Sequence, residues 1–223
     1  MQHKPDDFIA PPCHEHIKIL YQDEHLLLIN KPSKLLSLSG QNPLNIDSVH
    51  YRLVKDFPSA RLTHRLDFGT SGIMLVSLSK SVNAHIGKQF QARSIKKSYC
   101  AILEGTLEKD EGTISFPIAK DVANFPFQKI CYETGKEAIT KFQVIERYLN
   151  PDLTKVTFTP LTGRTHQLRI HSREILHPII GCDLYATERS KAMADRLMLH
   201  ATTLEFVHPI SGKQIKGLCP SPF

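Results

Sequence analysis

Short aliphatic runs bounded by turn residues dominate the first part of the chain. The stretches IKILYQD and HLLLINK are split by Asp23-Glu24, a turn-like break that predicts two strands joined as a hairpin. INKPSKLLSLSG reads as a loop that carries Lys31 ahead of Pro32. DSVHYRLVKDF repeats Val49, Leu53 and Phe57 at helical spacing behind an Asp47-Ser48 cap, and KSVNAHIGKQFQAR places Val82, Ile86 and Phe90 four apart. Each predicts a helix, and GIMLVSLS between them predicts a buried strand. KSYCAILEG, EGTISFPI, AITKFQVIERY and KVTFTPL follow as strands separated by turn residues, and a helix is expected from near Gly163 through RTHQLRIHSREI. LHATTLEFVHP and KQIKGL are expected to close the chain as strands. This order is neither a strict strand-helix alternation nor strands alone. It predicts an α+β domain on a large, mainly antiparallel or mixed sheet flanked by helices and loops. No linker or repeat divides the chain, so residues 17–223 are expected as one domain behind a flexible, polar tail of residues 1–16.

Composition narrows the class. A chain of 223 residues, 41% hydrophobic and 22% charged, is built like a globular protein able to bury a core. Its formal charge of +6 favours a polyanionic partner over an acidic protein or a small cation. Five scattered cysteines without a CxxC pair point to a reducing compartment. The first residues lack the apolar core of a signal peptide, and no apolar run approaches the roughly 20 residues of a membrane span. A cytoplasmic protein is expected. Cys13, His14 and His16 have no second ligand pair at a zinc spacing, so no metal site is expected.

The candidate chemistry centres on RLTHRLDFGTSGIMLVSLSK, where Asp67 stands between basic residues and a glycine-bearing turn. An extended lead-in, a bend at Gly69 and Gly72, and a strand leading out hold Asp67 on a loop between rigid elements. That placement suits a reacting carboxylate, and it equally suits an aspartate that only caps the turn. HRLD and DFG imitate protein-kinase segments, but kinases separate the two and need an upstream glycine-rich loop with its lysine. GTSG lacks the spacing of a phosphate-binding loop.

Taken together, the motifs resemble those of the RluA family of pseudouridine synthases. HRLDFGTSGIMLVSLSK is similar to that family's HRLD, TSG and apolar-strand signature, and NKPSKLLS to its NKPxGLL segment. KSYCAILEG is similar to KxYxAxxxG and PLTGRTHQLRIH to TGRxHQxRxH, with HPIIGCDLY and RLMLHA as further blocks in the same order. The segments run from about Ile17 to the end, which looks like the short form without an S4 domain. One departure is Lys34, where the family often has glycine, and it puts the conformation of that loop in question.

The resemblance implies the pseudouridine synthase fold with a central RNA-binding cleft, and an isomerase that needs no cofactor and no metal. A uridine base is detached from its ribose, rotated and rejoined through carbon 5. Asp67 matches the essential aspartate; attack on the sugar, attack on the base and abstraction of a ribose proton all remain open. Arg169 matches the arginine that pairs with it and keeps it ionised, and Tyr99 the tyrosine that stacks on the base and later removes the carbon 5 proton. Arg65 matches the side chain that fills the space left by a flipped base. His64, Arg61, Lys31 and Arg164 are candidate phosphate or ribose contacts, Leu168 a candidate wall of the uracil pocket, and Arg93, Lys96 and Lys97 either an extension of the RNA track or a solvated face.

The RluA-type likeness implies a stem-loop of 23S ribosomal RNA and the tRNA anticodon stem-loop as substrates, with a tRNA-only relative as the alternative. The enzyme is expected as a monomer from a bacterial type of RNA-modification system. Two rivals from other classes are a hydrolase using His166 and His171, and a non-catalytic RNA-binding or RNA-folding module. Spacing of five puts the two histidines on different helix faces, which argues against joint ligation.

Overall fold

The computed structural model describes residues 8–223. In chain order the strands are β1 (Lys18–Gln22), β2 (Leu26–Lys31), β3 (Arg61–Leu62), β4 (Ser71–Ser77), β5 (Lys96–Glu104), β6 (Glu111–Ser115), β7 (Ile118–Lys120), β8 (Gln128–Ile130), β9 (Ile139–Leu149), β10 (Asp152–Pro160), β11 (Leu199–Val207) and β12 (Gln214–Leu218). The helices are α1 (Val49–Leu53), α2 (Lys80–Gln91), α3 (Gln167–Glu174) and α4 (Glu188–Ala192). The chain divides into two compact units, the first running to Ile95 and including Thr203–Pro220, the second comprising Lys96–Thr202 and Ser221–Phe223.

In the first unit β2 pairs antiparallel with both β1 and β4, with Leu27 opposite Val76 and Ile29 opposite Met74. Leu26 to Ile29 and Ile73 to Val76 are buried without a gap, so both faces of these two strands are covered. That explains the unbroken apolar runs in a place where a one-sided sheet would alternate. The expected cap is present, with Ser48 accepting from Tyr51 N at 3.1 Å to start α1, and Ser79 accepts from Val82 N at 3.3 Å to start α2 in the same way. Asp23, in the predicted hairpin break, accepts from the backbone of His25 and Leu26 at 2.8 and 2.9 Å and from His208 Nε2 at 3.0 Å.

In the second unit β5, β10, β9 and β6 pair antiparallel in that order. The inward residues Ala101, Leu103, Phe142, Val156 and Phe158 pack with Leu168 and Ile170 of α3 into one core. β7 and β8 form a separate small hairpin.

Two expectations need revision. The helix foreseen from near Gly163 begins only at Gln167, because residues 162–166 form a turn that ends with His166 in the left-handed region, φ 57°. Of the segment expected as a flexible tail, residues 1–7 lie outside the described residues, whereas residues 8–16 are tied to the first unit. The Asn45 side chain donates to Phe8 O at 2.7 Å and accepts from Ala10 N at 2.8 Å. Arg52, held by Asp47 through two bonds of 2.7 and 2.6 Å, donates to Cys13 O and Glu15 O. Charge-assisted bonds converging on one guanidinium are strong enough to order a segment that has no secondary structure of its own.

Candidate active site

The candidate residues fall into two groups, one in each unit. In the first unit Asp67 is half-buried on the loop between β3 and β4, where Thr70 N bonds Asp67 O at 3.1 Å to close a turn. Gly72, with φ 113°, supplies the backbone conformation that turns the loop into β4. The loop is gripped from one side by the NKPSKLLS segment. Ser37 both donates to Leu66 O (2.7 Å) and accepts from Leu66 N (3.2 Å), Lys31 Nζ reaches Phe68 O (3.3 Å), and Ser33 Oγ donates to Gly69 O (2.7 Å). Main chain on both sides of Asp67 is therefore fixed by one short segment, which is a physical reason for the two motifs to occur together. Phe8 adds an edge-on ring contact to Phe68, centroids 5.4 Å apart.

Lys31 differs from its expected role. It is 0% exposed, and its ammonium also donates to Pro32 O and Leu35 O at 2.8 and 2.7 Å. A group without solvent exposure is not a phosphate contact; it is the cation that organises this loop. His64 accepts from Leu75 N through Nε2 at 2.9 Å and packs on Phe90, so this nitrogen is unprotonated and holds the loop to β4. Arg61 and Arg65 are exposed, as an RNA contact requires.

In the second unit Tyr99 is half-buried on β5, opposite Phe158 of β10. The turn before α3 is built on the Gln167 amide. Its oxygen accepts from Thr162 Oγ1 (2.7 Å) and Arg164 N (3.0 Å), and its nitrogen donates to Ile139 O and Thr140 Oγ1, both at 3.0 Å. Arg164 is further held by its Nε to Glu137 O at 2.9 Å. Leu168 belongs to the core rather than to an open wall.

Arg169 is 4% exposed. It forms an ion pair with Asp183, donates from Nε to Cys182 Sγ at 3.3 Å, and lies over the Tyr185 ring at 5.3 Å. Tyr185, itself buried, bonds His166 Nδ1 at 2.7 Å and accepts from Gln128 N at 2.9 Å. The guanidinium is thus oriented by three features of GCDLY: a thiol, a carboxylate and an aromatic face. That block is visible in the sequence only as a match, because Asp183 stands 14 positions beyond Arg169, outside α3, where no regular element links the two.

His171 is fully buried and both ring nitrogens are engaged, Nδ1 by Thr140 Oγ1 at 2.9 Å and Nε2 by Phe116 O at 3.2 Å. A carbonyl accepts only, so Nε2 carries the proton and Thr140 donates to Nδ1, having itself received the Gln167 N–H. Burial pushes the imidazole below its usual value, which keeps it neutral. The acid-base pair that a hydrolase would need from His166 and His171 is therefore not available.

An RNA pseudouridylate synthase profile matches residues 25–174, which contain the Asp67 loop, β5 with Tyr99 and all of α3. The chain belongs to the RNA pseudouridylate synthase family. As a member of that family it is an isomerase acting on RNA, converting uridine to pseudouridine. It is 47% identical over 205 residues to the dual-specificity RNA pseudouridine synthase RluA of Yersinia pestis, covering 92% of this chain and 99% of the relative. To the protein of the same description from Escherichia coli K12 it is 42% identical over 213 residues, covering 96% and 97%. Among solved structures, human RNA pseudouridylate synthase domain containing 1 superposes with a TM-score of 0.80 at 30% identity, over 96% of this chain and 87% of that one. Synthases of this α+β architecture thus share the fold described above. Among the described residues, no helix is long and apolar enough to cross a membrane.

Proposed function

We propose that the protein modifies two RNAs, a stem-loop of 23S ribosomal RNA and the anticodon stem-loop of tRNA, and that residues 17–223 form its catalytic domain. The observation that carries this reading is the near full-length identity to relatives described as dual-specificity RNA pseudouridine synthases. Asp67 is the essential carboxylate, Arg169 its countercharge, and Tyr99 the ring that stacks on the target base and the group that takes the carbon 5 proton. Arg65 enters the space left by the flipped base, with Arg61 and Arg164 on phosphates. The isomerisation breaks the bond from ribose to nitrogen 1, forms one to carbon 5, and moves the carbon 5 proton to solvent while nitrogen 1 takes one up, so nothing is consumed. The protein acts as a cytoplasmic monomer.

What supports the catalytic assignment is the double-sided grip on the main chain at Asp67, together with a buried, oriented arginine at the position that the family pattern requires. The test has two parts. Tritium released from RNA labelled at uridine carbon 5 reads the reaction, and mapping pseudouridines in ribosomal and transfer RNA of a strain lacking the gene reads the targets. Loss of one site in each RNA class is expected; loss in tRNA alone would replace the dual reading by a tRNA-only one.

A further inference from the structure

In the second unit Lys97, which the sequence leaves open between the RNA track and a solvated face, is partly buried. Lys97 lies on β5 two positions before Tyr99, so the two side chains leave the same face of the strand, about 7 Å apart along it. Its ammonium is directed at the turn before α3: a Cβ built on Gly163 would stand 3.2 Å from Lys97 Nζ. That turn is rigid, since Thr162 and Arg164 on either side of Gly163 are both bonded to the Gln167 amide. A side chain at this position would make the end of the lysine give by a few tenths of an ångström. Burial pushes the Lys97 ammonium below the usual lysine range, and no counter-ion offsets it. No hydrogen bond or ion pair to another described residue engages it. A solvated lysine would not show this desolvation, and a structural one would have acceptors, as Lys31 does.

We propose that Lys97 is a further substrate-binding residue, its ammonium receiving a phosphate oxygen of the RNA next to the nucleotide that Tyr99 engages. The proposal rests on the isomerase reading of Tyr99. A phosphate fits better than a base carbonyl because it brings the full negative charge that a desolvated ammonium lacks. Arg164, one residue beyond Gly163 and fixed through its Nε, supplies a second cation for the same strand of RNA.

The experiment compares wild type, Lys97→Met and Lys97→Arg for binding an unmodified tRNA anticodon stem-loop, by fluorescence anisotropy over a series of salt concentrations. Loss of one phosphate contact should reduce the slope of log affinity against log salt by about 0.7 to 0.9. Affinity at low salt should fall about tenfold or more. Lys97→Arg should keep the wild-type slope. Melting temperature provides the second readout. Lys97→Met, which removes a charge disfavoured by burial, should melt no lower than wild type, whereas a structural lysine would lower it. Unchanged slope and affinity in Lys97→Met would overturn the proposal, as would a wild type that fails to bind the stem-loop at low salt. Tritium release by the wild type is read separately, so failure of the isomerase reading is distinguishable from failure at Lys97.

Discussion

Around Asp67 the chain is held by its main chain: Ser37, Lys31 and Ser33 bond the backbone of Leu66, Phe68 and Gly69. Around Arg169 it is held by side chains: Gln167, Thr140, Thr162 and His171 form one buried network, and the guanidinium has its own carboxylate, thiol and ring. The first arrangement fixes where a residue stands while leaving its identity to chemistry. The second makes the residue proposed as the countercharge part of the core. Substitution at the Asp67 position should therefore abolish turnover while the fold persists, whereas changes around Arg169 should weaken the fold and the activity together.

The sharpest test of that contrast is Asp67→Asn. Shape is kept and the charge is lost, so tritium release should fall by at least about a thousandfold, while stability changes by no more than about 1 kcal/mol in urea unfolding. Retention of activity by the Asp67→Asn variant would end the assignment of Asp67.

Next in size comes Lys31→Met, which separates scaffold from RNA contact. With the ammonium gone, the carbonyls of Pro32, Leu35 and Phe68 lose a buried donor. A cost of about 2–4 kcal/mol is expected, with a lower kcat and little change in KM. A phosphate contact would do the reverse, raising KM and leaving the urea midpoint where it was.

Lys31 also marks the limit of what can be read from the sequence. Apolar runs such as those of β2 and β4 announce buried strands because burial and pattern are the same property, and Ser48 announces a helix start because a cap is local. The aspartate, tyrosine and arginine proposed for catalysis are singled out by their motifs alone. A lysine's sequence context does not say whether its charge meets water, RNA or carbonyls, so the expectation of a phosphate contact at Lys31 fails. The start of α3 is misplaced for a related reason: the Gln167 side chain replaces the first helical turn with a hydrogen-bonded loop, and a glutamine looks the same in either. The β7–β8 hairpin escapes notice because three-residue strands carry too little alternation to register.

His171 sharpens the other half of the comparison through pH. Its folded value lies below the unfolded value of 6.5. As pH falls through 6.5 the unfolded chain takes up a proton that the folded chain refuses, so this group's stabilisation is complete above 6.5 and declines toward its folded value. The urea midpoint should drop as the pH is lowered from the neutral range to below 6.5. Thr140→Val, which leaves both the Gln167 amide and His171 Nδ1 short of a partner, should cost about 1–3 kcal/mol at neutral pH. His171→Asn should flatten the pH dependence; an undiminished slope would locate the titrating group elsewhere.

The smallest effect concerns the segment that grips Asp67. Lys34 stands where the family pattern often has glycine, and its φ is 57°, in the left-handed region. A side chain there crowds the following carbonyl and costs on the order of 1 kcal/mol, a strain that glycine does not carry. Lys34→Gly relieves the strain but gives the unfolded chain more freedom, which offsets part of the gain. A net stabilisation of about 0.5 kcal/mol is expected. Because Ser33 and Leu35 flank Lys34 and bear the bonds to Gly69 and Lys31, kcat should stay at the wild-type value if those bonds alone position the loop. If instead kcat falls while stability rises, the strained lysine itself is part of what holds Asp67 in place, and the grip extends to the backbone conformation of the segment that makes it.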